Sequence, residues 1–286
     1  MKNLKGVGVA VVTPFHPDKS IDYKSLEKVI EHVIAGGSDY LVVLGTTGEA
    51  TTLTPSEKKE VLAFVKKINN KRLPIVYGVG GNNTHAVLQE IKGVDFSGVD
   101  ALLSVSPYYN KPSQKGIILH FEQIADTSPV PIILYNIPGR TMSNLTAETT
   151  LHLAAHPNIV GTKEASGILE QCMEIAAKKP NDFLLISGDD LFGSTILAMG
   201  GEGMISVMAN AYPSVFKTIV HGSQKESFAS TFKLLKINPL MYEESNPVGV
   251  KNLLMHMGIC GDDVRLPLVN ASDELSKKIK EASLLL

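Results

Sequence analysis

Short apolar, largely β-branched runs alternate along this chain with longer windows in which apolar residues return every three or four positions. The runs at 7–12, 40–44, 75–79, 101–105, 132–135, 159–162, 183–187 and 204–207 predict eight strands. They are nearly continuously apolar rather than alternating, the pattern of parallel strands covered on both faces. The windows between them carry helix signals. Leu26, Val29, Ile30, Val33 and Ile34 form one apolar stripe, closed by Gly36-Gly37. Thr54-Pro55-Ser56-Glu57 combines a capping box with a proline at the first helical position, and Val61, Phe64, Val65 and Ile68 follow as a buried stripe. Eight strand-then-helix units predict an α/β fold, a (β/α)8 barrel of the TIM type, with residues 1–224 as the barrel. A doubly wound open sheet is the rival. It would want a glycine-rich phosphate loop after the first strand, where Thr13-Pro14-Phe15-His16-Pro17 stands instead. Residues 225–286 lack a strand pattern and predict a C-terminal helical region, with helices at 227–235, 248–257 and 272–282.

Composition narrows the class of function. The 286 residues carry a formal net charge of -2 and are 44% hydrophobic, with a pI near 6.5. There is material for a full core and no basic footprint for nucleic acid. No apolar run reaches the length of a membrane span. The stretch 7–12 follows two lysines but is short, β-branched and without a cleavage pattern, so it reads as a first strand rather than a signal peptide. The two cysteines, Cys172 and Cys260, have no metal-like spacing, and a reducing, cytoplasmic compartment is the expectation.

In a barrel of this kind chemistry gathers where the strands end, at the C-terminal mouth. Lys163 closes the sixth apolar run, so its stem rises from the interior. An isolated ammonium there is costly, and a neutral lysine amine is the nucleophile a Schiff base requires. A rim ion pair with Glu164 is the competing reading, and position alone does not separate the two. Tyr135, ending the neighbouring strand, could pass protons to and from that amine; a core tyrosine at a strand end is common. Thr46 and Thr47 lie in a glycine-flanked turn whose backbone N–H groups could hold a carboxylate, although the turn could equally be an ordinary loop. Arg140 follows a Pro-Gly turn and suits bidentate carboxylate binding, or a rim salt bridge.

Other signals read as structural. His152 and His156 have zinc-like spacing but belong to a helix expected on the outside, with no third ligand suggested, so no metal is expected. Gly78-Val79-Gly80-Gly81 lacks a dinucleotide pattern and reads as a strand-ending turn. Asp189-Asp190 precede a helix and read as its cap.

Taken together, Gly45-Thr46-Thr47-Gly48-Glu49, Tyr135-Asn136-x-Pro138-x-Arg140-Thr141, Gly161-x-Lys163-Glu164-Ala165 and Asn246-Pro247-x-x-x-Lys251 resemble the dihydrodipicolinate synthase / N-acetylneuraminate lyase family of Schiff-base pyruvate aldolases. The likeness runs over nearly the whole chain. Tyr108-Tyr109-Asn110 and Arg140-Thr141 resemble the synthase branch rather than the sugar-acid branch. The resemblance implies condensation of pyruvate with L-aspartate 4-semialdehyde, the first committed step of diaminopimelate and lysine biosynthesis, without cofactor or metal. Lys163 would form the imine, and Tyr135, Thr46 and Tyr109 would relay protons, Tyr109 from a neighbouring subunit. Thr47 with Thr46 would hold the pyruvate carboxylate, Arg140 the semialdehyde carboxylate, and Gly188 and Ile205 would line the pocket. It further implies a homo-oligomer, a tetramer built as a dimer of dimers. Lysine inhibits sensitive members at a subunit interface. At the corresponding positions Asn82 and Tyr108 match, whereas Ala50, Pro55, Lys58 and Ala86 depart. Ala86 lacks a carboxylate and Lys58 adds a positive charge, so weak inhibition or none is expected. A sugar-acid aldolase of the same family, a pyridoxal-phosphate barrel enzyme and a non-catalytic barrel that binds 2-oxo acids are the alternatives.

Overall fold

The structure is a computed structural model that describes residues 4–285. Eight parallel strands, β1 (Gly6–Ala10), β2 (Tyr40–Val43), β3 (Ile75–Gly78), β4 (Ala101–Val105), β5 (Ile132–Asn136), β6 (Ile159–Glu164), β7 (Leu184–Ser187) and β8 (Gly203–Ser206), close in sequential order, β1 pairing with β8. This is the expected (β/α)8 barrel. Each strand lies within two residues of its expected bounds, and the differences have local causes. β1 stops at Ala10 because the Asn210 side chain takes the next groups of the ladder, its Nδ2 donating to the Ala10 carbonyl at 2.7 Å and its Oδ1 accepting the Val12 N–H at 3.2 Å. β6 runs two residues further, through Glu164, because both extra side chains find places on opposite faces of the strand.

The inward face is packed by Tyr40, Val42, Leu103, Ile133, Ile186 and Ile205 among others. A Cβ on Gly8 would stand 2.2 Å from the Tyr40 ring, so that ring fills the barrel floor only because Gly8 has no side chain. The outward face buries Val7, Val9, Leu41 and Val43 against helix residues such as Leu26, Val29, Ile30 and Val33, the stripe read from the sequence. The helix Tyr23–Ala35 ends where Gly37 adopts φ 84°, and the helix Pro55–Asn69 starts on the expected box, with Thr54 and Glu57 capping each other.

Beyond the last barrel helix, Pro213–His221, come the helices Gln224–Lys233, Val248–His256 and Asp273–Ser283, with a 3-10 turn at Asn238–Met241. One of their ties to the barrel is a buried ion pair. Lys251 Nζ donates to Glu49 Oε1 at 2.5 Å and to the Asp263 carbonyl at 2.8 Å, and lies 4.2 Å from the centre of the Phe15 ring. Both side chains are out of reach of water, Lys251 at 0% and Glu49 at 2% exposure. Burial pulls the Lys251 ammonium below its ordinary pKa, and Glu49 pulls it back. The second Glu49 oxygen accepts the Arg265 N–H at 3.0 Å. A buried charge that loses its partner is strongly destabilising. Lys251→Met should therefore lower unfolding free energy by about 3–5 kcal/mol, since Glu49 would remain buried without its cation. Urea unfolding followed by far-UV circular dichroism checks this; a midpoint within error of wild type would contradict it.

Candidate active site

Lys163 is 5% exposed and points into the barrel from β6, in register with Tyr135 on β5 and Ile186 on β7. Its Nζ stands 4.3 Å from the centre of the Tyr135 ring. Glu164, the alternative partner, faces the other way, into the layer between barrel and helices, and its carboxylate is taken by Asn136, Ser166 and Gln171. The period of the strand separates the two neighbours, and Lys163 forms no ion pair among the described residues. Gly188, after β7, donates its N–H to the Glu164 carbonyl at 2.7 Å. A Cβ there would lie 2.9 Å from Lys163 Cε, so the lysine stem passes through space that only glycine leaves open. Ile205, 1% exposed, belongs to the same inner packing as Tyr135 and Ile186.

Thr46 and Thr47 form one 3-10 turn, Thr46–Gly48, between two non-glycine residues held at positive φ, Leu44 (60°) and Glu49 (52°). Such conformations persist only when their surroundings enforce them. At Glu49 the surroundings are its pair with Lys251, at Leu44 the close packing of its carbonyl against Gly78, and Asn246 Nδ2 donates to Thr47 Oγ1 at 3.0 Å. Thr47 is therefore buried and engaged, while Thr46 is exposed on a cleft of about 410 Å³ that Tyr135 and Tyr108 also line. Arg140 is exposed on the turn Pro138–Thr141 and faces a second cleft of about 490 Å³ with Ala165, Ser166, Tyr242 and Asn246. Tyr109 does not join this set within one chain. It is 85% exposed, at φ 74°, beside the cleft that Tyr108 lines.

Two sequence readings need correction. Asp189 does not cap the helix Gly193–Ala198, whose N-cap position is Phe192; its Oδ1 accepts the N–H groups of Leu191 and Phe192 at 2.8 and 3.0 Å and braces the turn ahead of that helix. Asp190 does not cap it either: it is 2% exposed and accepts the Met208 N–H at 2.9 Å. Burial pushes its carboxyl up to about 6, against that hydrogen bond. Lys58, read as a bare positive charge, is paired with Glu90 at 2.8 Å on the wall of the Thr46 cleft. His152 and His156 lie against Glu122 and Asp126, each a separate pair on the outside. Reasoning from strand ends also missed Tyr242 and Asn246 as neighbours of the mouth. They come from the helical region, and only the Asn246-Pro247-x-x-x-Lys251 pattern hinted at it.

A closed parallel barrel with a lysine rooted in its interior, a phenol over the amine and an arginine at the mouth has the make-up of a lysine-centred barrel enzyme. The chain belongs to the dihydrodipicolinate synthetase family, whose model matches residues 3–283. It is 49% identical, over 99% of its length and 96% of the relative's, to the 4-hydroxy-tetrahydrodipicolinate synthase of Cytophaga hutchinsonii. Among solved structures it resembles the chloride-inhibited dihydrodipicolinate synthase of Acinetobacter baumannii complexed with pyruvate, with a TM-score of 0.95, 35% identity and 99% of each chain covered. It also resembles the lysine-bound synthase of Cyanidioschyzon merolae, with a TM-score of 0.93, 36% identity and coverage of 98% and 97%.

Proposed function

We propose that this enzyme condenses pyruvate with L-aspartate 4-semialdehyde through an imine on Lys163, giving 4-hydroxy-tetrahydrodipicolinate for the lysine and diaminopimelate route. The observation that carries the reading is the interior-rooted Lys163 amine held against Tyr135. The amine adds to C2 of pyruvate and water leaves, forming an iminium. That cation withdraws electrons from the methyl carbon, which loses a proton to give an enamine. The enamine carbon attacks the aldehyde carbon, a C–C bond forms, and the resulting alkoxide takes a proton to become the hydroxyl. The amino group of the semialdehyde portion then attacks the imine carbon, which closes the ring and frees Lys163. Tyr135, with Thr46 and Tyr109, moves protons at these steps. The Thr46–Thr47 backbone holds the pyruvate carboxylate, Arg140 the semialdehyde carboxylate, and Gly188 and Ile205 shape the space around the lysine. None of the steps calls for a metal or cofactor. The setting is a cytoplasmic biosynthetic one, and no described helix is long and apolar enough to cross a membrane.

Pyruvate with borohydride should label one peptide, the one holding Lys163, and Arg140→Ala should keep that labelling. The same variant should lose semialdehyde use by roughly 10–100-fold in kcat/KM, the worth of a charged hydrogen bond. Peptide mass spectrometry and steady-state kinetics read the two arms. An adduct on another residue overturns the mechanism, and equal loss in both arms removes Arg140 from the aldehyde site.

The exposed, strained Tyr109 supports a relay completed by a second copy of the chain, within a tetramer. Specific activity should fall on dilution in step with dissociation measured by sedimentation; a fully active monomer would take Tyr109 out of the relay.

Response to lysine should be weak, for a reason that the Lys58–Glu90 pair changes. Glu90 supplies a carboxylate on the cleft wall where Ala86 has none, but Lys58 already occupies it. An incoming ammonium would displace another ammonium, with little net gain. Initial rates titrated with lysine at fixed substrates should show half-inhibition only above about one millimolar, near −4 kcal/mol of binding; half-inhibition well below that contradicts the argument.

A further inference from the structure

Behind the lysine, on the outer face of β6, lies a polar ring that the proposed reaction does not use. Glu164 is 1% exposed and has no cation beside it among the described residues. Asn136 Nδ2 donates to its two oxygens at 3.1 and 3.0 Å, the Ser166 N–H donates at 2.7 Å and Gln171 Nε2 at 2.9 Å. Asn136 Nδ2 also reaches Asn144 Oδ1 at 2.7 Å, and Asn144 Nδ2 donates to Gln171 Oε1 at 2.8 Å, which closes the ring. The amide orientations follow from the backbone. The Leu145 N–H donates to Asn136 Oδ1 at 3.0 Å, so Nδ2 must face Glu164 and Asn144. Asn144 then presents its amino group to Gln171, and Gln171 presents its own to Glu164. Every group turned toward Glu164 is a donor, and the site accepts only a group with no hydrogen to give.

The ring sits at the two ends of the segment that carries Arg140. Asn136 starts it, Leu145 ends it, and Asn136 holds both the side chain of Asn144 and the backbone of Leu145. A third hold comes from Gln114, whose Nε2 donates to the Asn144 carbonyl at 2.8 Å. Between these clamps Arg140 occupies a single helical turn, its N–H donating to the Ile137 carbonyl at 2.9 Å, with an exposed side chain that makes no hydrogen bond among the described residues. Its direction is set by where the clamps put that turn.

We propose that Glu164, through Asn136 and Asn144, is a positioning residue for Arg140 and so governs use of the aldehyde substrate, while Lys163 beside it governs use of pyruvate. The assignment rests on the reading of Arg140 as the carboxylate clamp. Small displacements of a positioning group cost up to about a hundredfold in rate. Glu164→Gln keeps the shape but turns one amino group against donors. It should lower kcat/KM for the semialdehyde about tenfold, with a raised KM, and leave the yield of borohydride-trapped pyruvate adduct unchanged. In an Arg140→Ala background the same change should add less than about twofold, because its effect passes through the arginine. Should Glu164→Gln fail to fold, Asn144→Ala cuts the ring at the segment while leaving three donors on Glu164, and the same selective loss is expected. Equal loss of pyruvate trapping and semialdehyde use, or full additivity with Arg140→Ala, would show mere support of the strand and overturn the proposal. Undiminished semialdehyde use by Arg140→Ala alone would overturn the carboxylate-clamp reading itself, and is seen in that single variant.

Discussion

The Glu49–Lys251 pair is the contact on which the mouth of this barrel depends. Two opposite charges are withdrawn from water, one on the turn after the second strand and one on a helix far along the chain. A buried pair of this kind is poor evidence for stability, since apolar replacements of similar shape often do as well. Its value lies in direction. The carboxylate needs the ammonium at one place, which fixes the helical region against the barrel, and the same carboxylate holds its own residue at positive φ. Glu49, one of the two strained residues bracketing Thr46 and Thr47, is thus kept in place from outside the barrel. Asn246 adds a hydrogen bond to Thr47 from the same direction. The helical region is part of the site's scaffold as well as an addition to the fold.

Much of the architecture was legible because it follows from periodicity. Eight apolar runs can be counted, and the capping box at Thr54 can be read letter by letter. The end of β6 was harder, because Lys163 and Glu164 look like a rim. The apolar run ends where the charges begin, while the ladder continues past it, Lys163 and Glu164 staying in register with both neighbouring strands. The neighbour of the amine was legible for a similar reason: strand ends converge in any barrel, so Lys163 and Tyr135 could be brought together on paper, and Thr46 placed on a cleft that Tyr135 also lines. Asn246 and Tyr242 could not be placed so, since nothing local in a helical stretch says which strand end it will cover. Asp190 was read as a cap because acidic residues before helices usually are. Its neighbour Asp189 braces only the turn ahead of the helix, and Asp190 is turned inward to Met208.

The charge at Lys58 is a lesson of another sort. A substitution compared position by position invites a count of charges at that position. The structure places Glu90 on the next helix within hydrogen-bond distance, so the relevant unit is a pair. Electrostatic arguments from a linear sequence are weakest where helices cross, because the partner lies a helix away.

The alternation of β6 has one more consequence. Lys163 and Glu164 are joined by a single peptide bond yet open onto separate compartments, the barrel interior and the layer between barrel and helices. With the roles proposed for Lys163, Glu164 and Arg140, making the nucleophile and choosing its partner fall to opposite sides of the same ribbon. The segment bearing Arg140 can change in sequence while the inner wall keeps its composition. A catalyst divided in this way can take up a different aldehyde by alterations in one short stretch of chain, without relearning how to activate its first substrate.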